Sequence, residues 1–144
     1  MTIAVLDTNV VVQSLISSPK SASARVLDAY YDQRFRIAYT AATVDELIDV
    51  LNLPRIREMH GFSDDEVLIF VASLLAGAEP YPIEAAGAVS ADIPRDLTDT
   101  KFLALAKSAD ADNLVTNDRR HLLRLRRFGR TQIVTPAAFL RELA

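Results

Sequence analysis

The run Thr2-Ile3-Ala4-Val5-Leu6 is almost wholly apolar, lacks polar alternation and ends on Asp7. A strand of that kind is covered on both faces, which is the habit of parallel sheets sandwiched between helices. The carboxyl ends of such strands form the crevice where open α/β sheets bind ligands. Asp7 therefore stands at a place where a carboxylate can be held rigidly beside a cleft, although an Asp ending a strand is also a common turn former.

Later segments extend the α/β pattern. Residues 22–33 carry Ala22, Val26, Leu27 and Tyr30 at helical spacing, and Phe35 to Tyr39 reads as a second strand. Thr40 is placed to cap a helix with Val44, Leu47, Ile48 and Leu51 on one face, stopped by Pro54. Ser63-Asp64-Asp65-Glu66 is a capping box ahead of the stripe Val67, Phe70, Val71, Leu74 and Leu75. Gly77 to Pro94 reads as a loop with one short extended piece. A helix from about Leu97 to Ala109 follows, then a strand over Asn113 to Thr116 and a helix from Arg119 to about Arg127. Gln132 to Thr135 is the last strand, and Pro136 opens the last helix. Strands alternating with helices predict a central, mainly parallel sheet of four to five strands in a three-layer α/β/α arrangement. The helical hairpin from Ala41 to Ala76 is an insertion between two of its strands. A length of 144 residues suits a single domain spanning 1–144.

Composition narrows the chemistry. There is no cysteine, which excludes disulfides, thiolate nucleophiles and zinc–sulfur sites. The four glycines, Gly61, Gly77, Gly87 and Gly129, form no phosphate-binding loop, so a nucleotide-binding domain of the P-loop or dinucleotide type is excluded. No apolar run approaches the roughly 20 residues that span a bilayer, and no signal peptide is recognisable, so the cytoplasm is the expected location. The net charge of −3 conceals an asymmetry: residues 1–100 carry 7 Lys/Arg against 15 Asp/Glu, residues 101–144 carry 9 against 4. Six arginines fall between Arg119 and Arg130. The whole chain is not a general polyanion binder, but its last third permits a nucleic-acid strand along one side.

Three further acids have positions comparable to that of Asp7. Asp99 sits three residues before Phe102, beside the apolar face of its own helix, while Asp96 is the natural N-cap of that helix. Asp118 follows the strand Leu114-Val115-Thr116 and suits either a helix cap or a metal ligand, since one oxygen can serve each. Glu46 lies opposite Val44, Leu47, Ile48 and Leu51, so periodicity alone makes it a solvated surface acid. Four carboxylates gathered together repel one another unless a cation lies between them. The cation that suits oxygen donors is hard, magnesium or manganese.

Taken together, Val5-Leu6-Asp7-Thr8-Asn9-Val10-Val11, Asp45-Glu46-Leu47-Ile48-Asp49-Val50-Leu51 with Pro54-Arg55-Ile56, Asp96-Leu97-Thr98-Asp99-Thr100-Lys101-Phe102, and Asp112-Asn113-Leu114-Val115-Thr116-Asn117-Asp118 resemble the PIN domain, the nuclease fold of VapC-type toxins. The resemblance extends to the closing Ile133-Val134-Thr135-Pro136. It is strongest to a bacterial subgroup described as toxin components of toxin–antitoxin pairs. It implies that Asp7, Glu46, Asp99 and Asp118 are the catalytic, metal-holding acids, which turns the polar face of the Glu46 helix toward the cleft. It assigns supporting places to Asn9, Asp96 and Thr116. Leu97 departs from the proline often found there. Asn117 replaces a frequent glycine and is expected to accept a turn conformation.

The implied activity is Mg2+- or Mn2+-dependent hydrolysis of phosphodiester bonds in single-stranded RNA, leaving a 5′-phosphate and a 3′-hydroxyl. The implied partners are a second copy of the chain and an antitoxin protein. Arg119 and Arg120, beside Asp118, are the candidate phosphate contacts, and Tyr39 and Tyr81 the candidate stacking residues. Of the two histidines, His60 and His121, neither is needed as a base where a metal activates water. The competing possibility is a catalytically silent PIN-fold module that binds protein or RNA. Retention of all four acids argues against it. A phosphoacceptor domain of the response-regulator type also uses an acidic pocket, but places its reactive Asp after a middle strand.

Overall fold

The computed structural model describes residues 1–82 and 100–144. Along these the order is β1 (Ile3–Leu6), α1 (Thr8–Ile16), α2 (Ala22–Tyr31), β2 (Arg36–Tyr39), α3 (Ala41–Leu51), α4 (Pro54–His60), α5 (Asp64–Leu75) and β3 (Glu79–Pro80). Then follow α6 (Thr100–Ser108), β4 (Asn113–Val115), α7 (Leu122–Leu125), β5 (Arg127–Phe128), β6 (Thr131–Val134) and α8 (Pro136–Leu143). The strands form one sheet in the order β3-β2-β1-β4-β6-β5. All neighbours are parallel except β5, which runs antiparallel to β6. The mainly parallel sheet is thus as expected. It has six strands among the described residues, because two strands of two residues each flank the four longer ones.

Alternation along each strand divides the core into two. Ala4 and Leu6 of β1, Ile37 of β2 and Val115 of β4 face one layer, with α1, α2, α3, α5 and α8. Val5, Ala38, Leu114 and Ile133 face the other, with α6 and the leucines of α7. Side chains two apart share a face and adjacent ones do not, so four short apolar strands serve both layers. Aromatic rings fill the first layer: Phe35 meets Phe139 edge-on at 4.9 Å between centroids. On the second, Phe102, Leu103, Leu105 and Ala106 make α6 nearly featureless to solvent.

Helix starts follow the local chemistry. Thr40 and Thr43 form a reciprocal cap on α3, and Ser63 with Glu66 does the same for α5. The Ser63 amide and hydroxyl hold the exposed Glu66 carboxyl below its usual range. Pro54 does more than end a helix: it occupies the first turn of α4, so the expected hairpin is three helices, α3 to α5, between β2 and β3. His60 fastens them, its Nε2 against the Leu51 carbonyl oxygen and its Nδ1 accepting from the Phe62 amide.

One expected element is replaced. The helix from Arg119 to Arg127 is a single turn, α7, preceded by a turn at Arg119–His121. Arg126 then takes φ of 62°, and Arg127–Phe128 pairs back onto Thr131 and Gln132 around Gly129-Arg130. Gly129, at φ of 61°, supplies the left-handed turn, and the hairpin captures backbone groups that a longer helix would have used. Asn117, by contrast, is not among the residues with positive φ.

Tyr30 links α2 to the end of α5 by donating its hydroxyl to the Leu74 carbonyl. Burial pushes this phenol above its ordinary value of 10.0, and Tyr31 pushes the same way. A folded-state value above the unfolded one gives stability that is complete below about pH 10 and lost as pH rises through the folded value. Tyr30→Phe is therefore expected to cost about 1 kcal/mol at neutral pH, from the lost hydrogen bond. It is also expected to flatten the alkaline decline, to which Tyr31 and Tyr81, likewise raised by burial, still contribute. Urea unfolding at neutral pH and above about pH 10 measures both; an unaltered alkaline slope would contradict the assignment.

Candidate metal and phosphodiester site

Parallel pairing of β1 with β4 aligns Leu6 with Val115, so the next residue of each strand, Asp7 and Thr116, emerges at the same sheet edge. The Asp7 amide donates to the Val115 carbonyl at 3.0 Å, extending the ladder by one bond. Asp7 is 3% exposed and Thr116 fully buried. The Thr116 hydroxyl donates to Asp7 Oδ2 at 2.7 Å and accepts from the Asp118 amide at 2.9 Å. One hydroxyl thus ties the two acidic segments together. Asp7 also begins α1 without capping it through its side chain. Its carboxylate is turned toward Thr116.

Asp118 caps the turn ahead of α7 and not the helix itself, whose N-cap is His121. Its Oδ1 accepts from the Arg120 and His121 amides, both at 3.1 Å. These bonds involve one of its two carboxylate oxygens. Asn9 reaches the same strand end, its Oδ1 accepting from the Asn117 amide at 3.4 Å. Asn9, Gln13, Ser17, Ser21, Ser23 and Asn117 then line an open, uncharged groove. Arg119 and Arg120 are exposed beside Asp118.

Glu46 does not face open solvent. It is half-buried, its Oε2 accepts from the Thr8 hydroxyl, and its Oε1 lies 2.6 Å from Lys101 Nζ. Thr8 directly follows Asp7, so the polar face of α3 looks onto the β1 end. Asp96, Leu97 and Asp99 lie outside the described residues, and of the helix expected from Leu97 to Ala109 the described part is α6. Thr8 and Lys101 were not anticipated from sequence. The signal for Lys101 was a single early cation on a helix otherwise apolar through Phe102 to Ala106. Tyr39 shares a small cleft with Thr8, Thr43 and Leu47. Tyr81 donates its backbone amide to the Tyr39 carbonyl and packs against the second layer.

Among the described residues the Asp7, Asp118 and Glu46 carboxylates and the Thr8 and Thr116 hydroxyls offer oxygen donors near this edge. That chemistry fits magnesium or manganese. Among the described residues no three acidic or histidine side chains gather closely enough to enclose an ion alone. Magnesium does not require this, since it keeps several waters and is commonly bound through one or two carboxylates.

The PIN domain family model matches residues 4–120, an interval that contains all four acids. Among solved structures, the chain is similar to VapBC2 from Rickettsia felis, bound to a DNA fragment from its promoter, at 17% identity and a TM-score of 0.60. The match covers 93% of this chain and 98% of that one. FitAB bound to an IR36 DNA fragment matches at 21% identity and TM-score 0.61, over 92% and 94% of the two chains. PAE2754 from Pyrobaculum aerophilum matches at 17% and 0.58, over 99% and 89%. No curated protein matches in sequence.

Thr116→Val keeps the buried shape but removes the shared hydroxyl. Asp7 loses a donor and the Asp118 amide an acceptor, with an expected cost of about 1.5–3 kcal/mol, the range for bonds to a charged group. Thr116→Ser is expected to retain most of the stability. Denaturant midpoints compare the two variants; a valine variant as stable as wild type would show that the bridge contributes nothing.

Proposed function

Because this chain belongs to the PIN-domain family, whose members are generally nucleases, we propose that it is a Mg2+- or Mn2+-dependent endoribonuclease acting on single-stranded RNA, the toxin of a toxin–antitoxin pair. The observation that carries this is the Thr116 bridge between Asp7 and Asp118 at the carboxyl ends of adjacent parallel strands, with Glu46 turned toward neighbouring Thr8. A divalent ion bound there would acidify a water and offset phosphate charge. Asp7, buried and oriented by Thr116, is suited to hold that ion, and Asp118 to assist through the oxygen not used in capping. Asp99 takes a place in the same set by the family resemblance alone. In the reaction a water oxygen forms a bond to phosphorus, the bond to the 3′-oxygen breaks, the water proton passes to solvent and the departing 3′-oxygen gains one.

The uncharged groove along α1 gives a single strand a course past the acids without adding repulsion. Arg119 and Arg120 stand where backbone phosphates on the other side of Asp118 would pass, so binding should weaken steeply with salt. Stacking or base-edge contacts would supply any sequence choice. The VapBC2 and FitAB assemblies lead us to expect a protein antitoxin. We also expect a homodimer, for which Leu68 and Ile69 of α5, 56% and 64% exposed, offer apolar surface. No described helix is long and apolar enough to cross a membrane.

Purified protein is expected to cut single-stranded RNA only when magnesium or manganese is added. Asp7→Asn should lower that rate about 100-fold or more, as when one charge-stabilising group is lost, with an unchanged circular dichroism spectrum. Full activity in the asparagine variant, or cleavage in chelator, would refute the proposal. Absence of cleavage at every ion concentration would favour a silent binding module. Sizing at micromolar concentration is expected to give a dimer, and a monomer there would count against self-association.

A further inference from the structure

Lys101 lies on α6, next to Thr100 where its described part begins, and its ammonium sits 2.6 Å from Glu46 Oε1 while Thr8 serves Oε2. Protein donors therefore occupy both oxygens of a carboxylate at the metal edge. The pair differs from the other described ion pairs in two ways. Arg36–Glu79, Arg57–Asp64 and Arg130–Asp112 all use arginine, whose planar fork fixes geometry, and each has at least one side chain well over a third exposed. Lys101 and Glu46 are 32% and 25% exposed, so their attraction is less screened than in a fully hydrated pair. Lysine is a point charge on a flexible stem that can change anion without losing a specific fork.

We propose that Lys101 is the mobile counter-ion of this site. Resting on the nuclease reading, it neutralises Glu46 when no divalent ion is bound, competes with that ion for the carboxylate, and donates to a non-bridging oxygen of the scissile phosphate when RNA arrives. The exchange conserves charge: the ammonium leaves one anion as a metal ion takes it over, and meets another that the substrate brings. A purely structural pair joining α3 to α6 would need none of this. It would leave metal affinity unchanged on removal, or weaken it through loss of shape.

The test uses the full chain and Mn2+ alone as probe, by calorimetric titration without RNA, beside single-turnover RNA cleavage at saturating Mn2+. Lys101→Met keeps the aliphatic stem and removes the charge. It is expected to bind Mn2+ about tenfold more tightly, since one competing positive charge is gone. The same variant should cleave about 100-fold more slowly, since a cation on the phosphate is lost. Lys101→Arg, which forks onto Glu46 and keeps the charge, is expected to bind Mn2+ several-fold more weakly and provides the measurement if the methionine variant does not fold. Unchanged or weaker Mn2+ binding in folded Lys101→Met overturns the proposal, as does wild-type affinity in Lys101→Arg. Wild-type protein that cleaves RNA while both variants match it in affinity and rate would sink only the role of Lys101. Wild-type protein that binds Mn2+ but cuts no RNA would sink the nuclease reading and the phosphate contact of Lys101, yet tighter binding by Lys101→Met would still support the competition. Wild-type protein that binds no Mn2+ removes both.

Discussion

The register between β1 and β4 is the constraint on which everything else depends. A parallel ladder aligning Leu6 with Val115 brings Asp7 and Thr116 out together, and an adjacent Asp118 comes within reach of the same hydroxyl. A slip of one residue would turn each side chain to the opposite face, sending Asp7 into an apolar layer and Leu6 to the edge. The register is well protected because both faces of β1 are buried, with Ala4 and Leu6 committed to one layer and Val5 to the other. Packing in the core and placement of charge at the rim are therefore a single choice. The core determines where the carboxylate stands, and the carboxylate is tolerated because it stands at a strand end.

That edge manages its negative charge by sharing donors. Thr116 serves two segments, Thr8 reaches Glu46, and backbone amides serve Asp118. Hydrogen bonds of this type stabilise an ionised carboxylate more than neutral partners would, and they orient it as well. Lys101 supplies the formal positive charge that amides and hydroxyls lack. A carboxylate held at a buried strand end needs partners of this kind whether or not an ion is bound.

Much of this was legible in the residues. The β1 strand, the caps at Thr40 and Ser63 and the opening of α8 at Pro136 each follow from local chemistry, and each is found where expected. Local signals failed where a long-range partner competed. Six arginines among leucines fit a helix, yet pairing of Arg127 and Phe128 with β6 ended it after one turn, because Gly129 permits a tight reversal and β6 offered an unpaired edge. Periodicity also misplaced Glu46. It distinguishes apolar from polar faces, but a polar face turned toward Thr8 and Lys101 has the same pattern as one turned to water. The resemblance turns Glu46 toward the cleft, and its described contacts are with Thr8 and Lys101. Asp99, equally legible in the motif, lies outside the described residues.

The two shortest strands have a consequence for assembly. β3 and β5 stand at opposite margins of the described sheet, and each is only two residues long. Pro80 has no amide hydrogen to offer, and Arg127 brings a charge that resists lateral stacking. Extension of the sheet by a visiting strand is thereby discouraged at both margins. At these two margins recognition is left to side chains, which are specific to sequence, more than to backbone bonds that any extended peptide could make.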